Sequence, residues 1–159
     1  MLEAIYEPVI EDIRAKVSAE VDREARMDAV CDLVWAQLAG HGVSWVGFYV
    51  DHPEQPEDER LILACHRPKP ACSPLALHGV CGQTLRFGRT RVVPDVRDLG
   101  GDYIECDPSD RSEVAVPLFD DSGQCWGVFD VDSPIAGRFC DDDGPHFRAI
   151  LQAAGFRTD

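Results

Sequence analysis

Apolar residues recur at two different periods along this chain, and the change of period divides it. Leu2, Ile5, Val9, Ile10, Ile13 and Val17 follow the three-and-four spacing of one helix face. That spacing predicts a helix from the N-terminus to Val17, with Pro8 restricting its start or kinking it. Met27, Val30, Cys31, Val34 and Leu38 predict a second helix over 22–38, ended by Gly40 and Gly42. Cys31 lies on its apolar stripe and reads as a packing residue.

From Ser44 the period drops to two. In Ser44–Val50, Trp45, Gly47 and Tyr49 share one face of a strand and Val46, Phe48 and Val50 the other. The Trp/Tyr face reads either as the wall of a ligand site or as a buried aromatic pair. The polar, proline-containing run after it predicts a hairpin into a second strand, Arg60–Cys65, with Cys65 in the core. His66–His78 carries three prolines and reads as irregular; it holds Cys72. Gly79–Gly88 predicts a short helix with Cys81 at its head, a position that lowers a thiol pKa. Arg91–Val96 reads as a strand whose Pro94 marks an edge or a bulge. Ser112–Phe119 and Cys125–Val131 follow as strands around a turn at Asp120–Gly123, with Cys125 a packing residue. A last helix begins near Asp141, which or whose neighbour caps it, and turns Phe147, Ile150, Leu151 and Ala154 inward. Helices at both ends of hairpin-linked strands predict an α+β domain with a mostly antiparallel sheet.

Composition narrows the function classes. The 159 residues suit one domain, with N-terminal helices over 1–39 and the sheet, loops and last helix over 44–155. A net charge of −14 disfavours nucleic acid and anionic membranes as partners. No apolar run approaches the ~20 residues of a membrane span, and the acidic, amphipathic N-terminus is unlike a signal peptide. The expected setting is the cytoplasm, where structural disulfides are rare. Seven cysteines, an odd number without a Cys-x-x-Cys, then point to buried thiols, metal ligands or redox chemistry rather than a disulfide framework.

The chemistry concentrates in Gly100–Pro117. Cys106 stands between Glu105 and Asp107, ahead of an Asp107–Asp110 turn and a strand that opens near Glu113. The flanking acids raise the thiol pKa, and Arg111 is the cation near enough in sequence to offset them. Asp130 and Asp132, two apart on one strand face, raise each other's pKa unless a cation sits beside them. Cys65, His66, Cys72, His78 and Cys81 fall in one short span, but their spacing matches no standard zinc site, and no metal is expected.

The ordered motifs Trp-Val-Gly-Phe-Tyr, Pro-Ala-Cys, Gly-Val-Cys-Gly, Cys-Asp before Ser-Glu-Val-Ala-Val-Pro, and Gly-Val-Phe-Asp-Val-Asp-Ser-Pro resemble a GAF domain. More narrowly they resemble the free methionine-R-sulfoxide reductases, across 45–147. The resemblance implies a sheet of about six strands with helices packed on it. It implies reduction of free methionine-R-sulfoxide through a cysteine sulfenic acid and an intramolecular disulfide, with no bound cofactor and with NADPH-linked thioredoxin as the external reductant. By motif, Cys106 is the nucleophile, Cys72 a resolving thiol and Cys81 a second thiol at the site. Glu113, Asp130 and Asp132 are the substrate-pocket acids, and Trp45 and Tyr49 its aromatic walls. Tyr103-Ile104-Glu105 departs from the family's His-Ile-Ala before the nucleophile, and the neighbouring segments differ by a residue in length. Sequence leaves open whether Cys72 or Cys81 resolves. The alternative function is a non-catalytic GAF module that binds a small ligand, senses redox state or forms a homodimer through its N-terminal helices.

Overall fold

The computed structural model describes residues 1–159. Helices α1 (Leu2–Lys16) and α2 (Arg23–Leu38) come first, followed by strands β1 (Trp45–Asp51) and β2 (Leu61–Arg67). Helix α3 (Val80–Phe87) precedes β3 (Arg91–Val93), β4 (Ser112–Phe119) and β5 (Cys125–Ser133), and α4 (Asp143–Ala153) closes the chain. The strands form one sheet in the order β2-β1-β5-β4-β3, antiparallel at every pairing. This is the expected α+β architecture, with five strands rather than about six. The proline-rich segment after β2 is irregular, as its sequence reads, and adds a single bridge, Leu75 to Leu61. The short edge strand β3 likewise stops before Pro94.

Local chemistry accounts for the helix ends. Asp22 caps α2 by accepting a hydrogen bond from the Ala25 N–H at 2.8 Å. Gly42, at φ +87°, turns the chain from α2 towards β1. The expected cap on α4 is corrected: Asp142 precedes the helix but makes no side-chain cap bond. Asp143 inside it does the anchoring instead. Its carboxylate accepts from the Cys140 N–H at 2.8 Å, from the Tyr6 hydroxyl at 2.6 Å and from Arg138 at 3.3 Å, tying α1 to α4. Helix α1 runs through Pro8.

The sheet separates two cores. Val46 and Phe48 point into the larger, under α1, α2 and α4; Trp45 and Tyr49 point into the smaller, under α3 and the long loops. The apolar stripes of α1 and α2 are therefore spent on this chain's own core, with Ile13, Val30 and Leu38 fully buried. The smaller core is only partly filled by side chains, and the cavity described below occupies the rest.

Phe129 sits at the centre of the larger core, 4.9 Å from Phe48 and 6.2 Å from Phe147 between ring centroids. Phe129→Ala should lower stability by about 3–5 kcal/mol in urea unfolding, the usual cost of an aromatic-to-alanine cavity. A loss under about 1 kcal/mol, within the range of surface substitutions, would place the packing centre elsewhere.

Candidate functional site

Strand register assembles the floor of the cavity. Asp132 on β5 lies opposite Trp45 on β1 and Glu113 on β4. Asp130 lies opposite Gly47 and Ala115, the smallest side chains available, so room is left above it. A Cβ at Gly47 would collide with the Trp45 ring, which leans over that gap. The result is a cavity of about 140 Å³ with Trp45 and Tyr49 as one wall and Glu113, Asp130 and Asp132 beneath.

The roof comes from two loops joined by a disulfide, Cys72–Cys106, with Cα atoms 5.5 Å apart. The first loop is hung from the aromatic wall. Trp45 Nε1–H donates to the Lys69 carbonyl at 2.7 Å, and the Tyr49 hydroxyl donates to the Cys72 carbonyl at 2.8 Å. Ser73 Oγ also accepts from the Leu63 N–H at 3.0 Å. Trp45 and Tyr49 thus set the position of Cys72 as well as walling the cavity. The second loop is held by the Asp107 turn, whose carboxylate accepts from the Ser109 N–H at 2.9 Å and from its hydroxyl at 2.8 Å.

Charges around Cys106 differ from the sequence expectation. Arg111 is turned away and pairs with Asp95 at 2.8 Å. The cation beside the disulfide is Lys69, 3.0 Å from Asp107. The Ser109 bonds and Lys69 hold the Asp107 carboxyl down at about 2. Glu105 is exposed and does not line the cavity, whereas its neighbours Tyr103 and Ile104 do.

Cys81 is buried with its Sγ 4.0 Å from Glu113, and it stands outside the disulfide. Its expected low pKa is reversed. Burial, then the charges of Asp130, Glu113 and Asp132, push the thiol well up, and these outweigh the end of an eight-residue helix. Burial also raises all three floor acids. Asp130 is raised further by Asp132 and Glu113, and Asp132 by Glu113 and Asp110. Asp130, as a hydrogen-bonding neighbour, offsets part of that rise at Glu113 and Asp132. One Asp130 oxygen, Oδ1, is buried with no hydrogen-bond partner.

Sequence reading missed a fourth acid. Asp110 lines the same cavity, and burial, then Asp107 and Glu113, push its carboxyl up to about 7. It reads locally as the end of a turn; its position three residues before Glu113 was the available signal. The cysteine and histidine span that raised a zinc reading is not gathered in space, because Cys65 faces Cys31 and Cys72 is bonded to Cys106. The acids and thiol close enough to share a cation are instead Cys81, Glu113 and Asp130, with ligand atoms within 4.8 Å of one another. No helix is long and apolar enough to cross a membrane.

Comparison with known proteins gives this geometry a context. The GAF domain family profile matches residues 20–156. The free methionine-R-sulfoxide reductase of Escherichia coli is 30% identical over 147 residues, covering 92% of this chain and 84% of that protein. The X-ray structure of free methionine-R-sulfoxide reductase from Neisseria meningitidis, in complex with its substrate, superposes with a TM-score of 0.82 at 32% identity. It covers 98% of this chain and 91% of that one. GAF domain-containing protein A of Dictyostelium discoideum is 30% identical over 148 residues, covering 92% of this chain and 88% of that protein.

The raised acids dictate a pH dependence of stability. A carboxyl with a raised pKa holds its proton more tightly folded than unfolded. The stability it contributes is present at low pH and is lost as pH climbs through the raised values, with Asp110 titrating near 7. Asp130→Asn should flatten that loss and stabilise the protein at pH 9 relative to the parent. The expected gain is about 1–3 kcal/mol, the cost of an unsatisfied buried polar group. Unfolding midpoints at pH 5 and pH 9 test it, and parallel curves for parent and variant would exclude a raised Asp130 carboxyl.

Proposed function

The chain belongs to the GAF domain family, and from that premise we propose that it reduces free methionine-R-sulfoxide to methionine by thiol chemistry. The observation that carries the reading is a disulfide, Cys72–Cys106, lying over a cavity whose floor is made of three buried acids. The named reductases among its relatives support the choice of substrate.

The steps balance with the residues present. In the reduced protein the Cys106 thiolate attacks the sulfoxide sulfur. A proton from the floor, where Asp130 retains one, goes to the departing oxygen. The substrate S–O bond breaks as that oxygen passes, as hydroxyl, to the Cys106 sulfur, so the thioether leaves and Cys106 becomes a sulfenic acid. The Cys72 thiol then attacks Cys106 sulfur, and water is released as the disulfide closes. An external dithiol, proposed to be thioredoxin fed by NADPH, reopens it, with no bound cofactor. Such a cycle suits a reducing, cytoplasmic setting.

Substrate fit follows from the lining. The ammonium of a free amino acid meets Glu113, Asp130 and Asp132, none of which makes an ion pair within the protein. Trp45 and Tyr49 pack on the methyl and methylene groups and exclude water. Lys69, the lysine of the cavity lining, is the cation available to the carboxylate. Cys72 takes the resolving role because it is the thiol bonded to Cys106, and Cys81 is a reserve thiol on the floor.

The test is NADPH oxidation coupled through thioredoxin and its reductase, with the R and S forms of free methionine sulfoxide compared. Turnover with R alone is expected, falling to background in Cys106→Ser. Asp130→Asn should lose about 10²–10⁴-fold in kcat/KM, the range of a positioned general acid. Full activity in Cys106→Ser would sink the mechanism. Folded, reduced protein inert to both forms would make the chain a ligand-binding or redox-sensing GAF module.

A further inference from the structure

A second pair of thiols lies on the opposite face of the sheet. Cys31 on α2 and Cys65 on β2 have their Sγ atoms 3.4 Å apart. Each reads from sequence as a packing residue, and only the docking of α2 on β2 brings them together. Cys81, Cys125 and Cys140 have no sulfur neighbour within hydrogen-bond distance. Closing 3.4 Å to a bond requires about 1.4 Å of sulfur movement, within reach of side-chain rotation.

The two sulfurs differ in access. Cys31 is fully buried. Cys65 is half-buried and lines a groove between α2 and the β1–β2 hairpin. The end of β2 beside it is already held to α2, since Arg67 donates to Asp28 at 2.9 Å and to Asp32 at 2.8 Å. The pair therefore sits in a preformed seam rather than between segments that must first meet. The Cys72–Cys106 disulfide packs against the smaller core and Cys65 against the larger, so the sheet stands between the two pairs. An oxidant must reach Cys65 from solvent through its own groove.

We infer that Cys31 and Cys65 form a second redox-active dithiol, oxidised by a low-molecular-weight disulfide that enters along the α2–hairpin groove. Cys65 thiolate attacks one sulfur of the small disulfide, giving a mixed disulfide at Cys65 and one small thiolate. Cys31 then gives up its proton and attacks the Cys65 sulfur, forming the Cys31–Cys65 bond and releasing the second small thiol. Two protein thiols are oxidised and one small disulfide becomes two thiols. The bond ties α2 covalently to β2, seven residues before Cys72, at the root of the loop that carries it. The inference is independent of sulfoxide reduction.

The experiment incubates fully reduced full-length protein with glutathione disulfide under native conditions, then alkylates free thiols and maps the peptides by mass. A cross-linked peptide joining Cys31 to Cys65 is expected, with a raised thermal unfolding midpoint because the bond closes a 34-residue separation. Free thiols should fall from seven to three when both pairs close. In Cys31→Ser the mixed disulfide at Cys65 should accumulate, having lost its intramolecular exit. A stable glutathione adduct at Cys65 in the parent, or no Cys31–Cys65 peptide without denaturant, would overturn the inference. The parent's peptide map decides even if the variant folds poorly.

Discussion

Carboxylates set side by side in a poorly hydrated cavity cannot all be charged. Glu113, Asp130 and Asp132 share one patch of sheet, Asp110 borders the same cavity, and no lysine or arginine pairs with the three floor acids. At an effective dielectric near 20, two unit charges 4 Å apart repel by about 4 kcal/mol. Protons must therefore stay on the cluster, or a cation must enter it. Both answers suit chemistry that needs a bound ammonium and a proton donor in one place. Burial first, and then the same acids, push the Cys81 thiol well up.

The surrounding architecture tolerates this arrangement because little of it is needed for the main core. The sheet's other face, under α1, α2 and α4, carries the bulk of the buried aromatic and aliphatic packing. That leaves the second face free to be underfilled. Gly47 and Ala115 flank Asp130, and Trp45 leans over the space they leave. The wall aromatics use their polar atoms to suspend the Cys72 loop. Truncating Trp45 or Tyr49 would therefore disturb the disulfide partner as well as the cavity surface. A cavity wall and the loop that carries Cys72 are one mechanical unit here.

Thiols sort by face in the same way. Cys72, Cys81 and Cys106 gather at the cavity, while Cys31 and Cys65 meet under α2. A single sheet thus keeps two cysteine pairs apart, with different access routes and different acid surroundings.

Sequence by itself determined the elements and their faces. Helical spacing marked α1, α2 and α4, alternation placed Trp45 and Tyr49 opposite Val46 and Phe48, and a two-residue step put Asp130 and Asp132 on one side. These are consequences of backbone geometry over a few residues, so nearby residues carry them. The family motifs added Cys106 and its companions. Only tertiary structure decided that Cys72 rather than Cys81 bonds to Cys106, that Arg111 turns to Asp95 and leaves Lys69 beside Asp107, and that Asp110 joins the acid cluster. It also reversed the expected pKa of Cys81 and brought Cys31 against Cys65. Each of these depends on which distant segments meet and how much water their meeting excludes, and neither contact nor desolvation is written in local spacing.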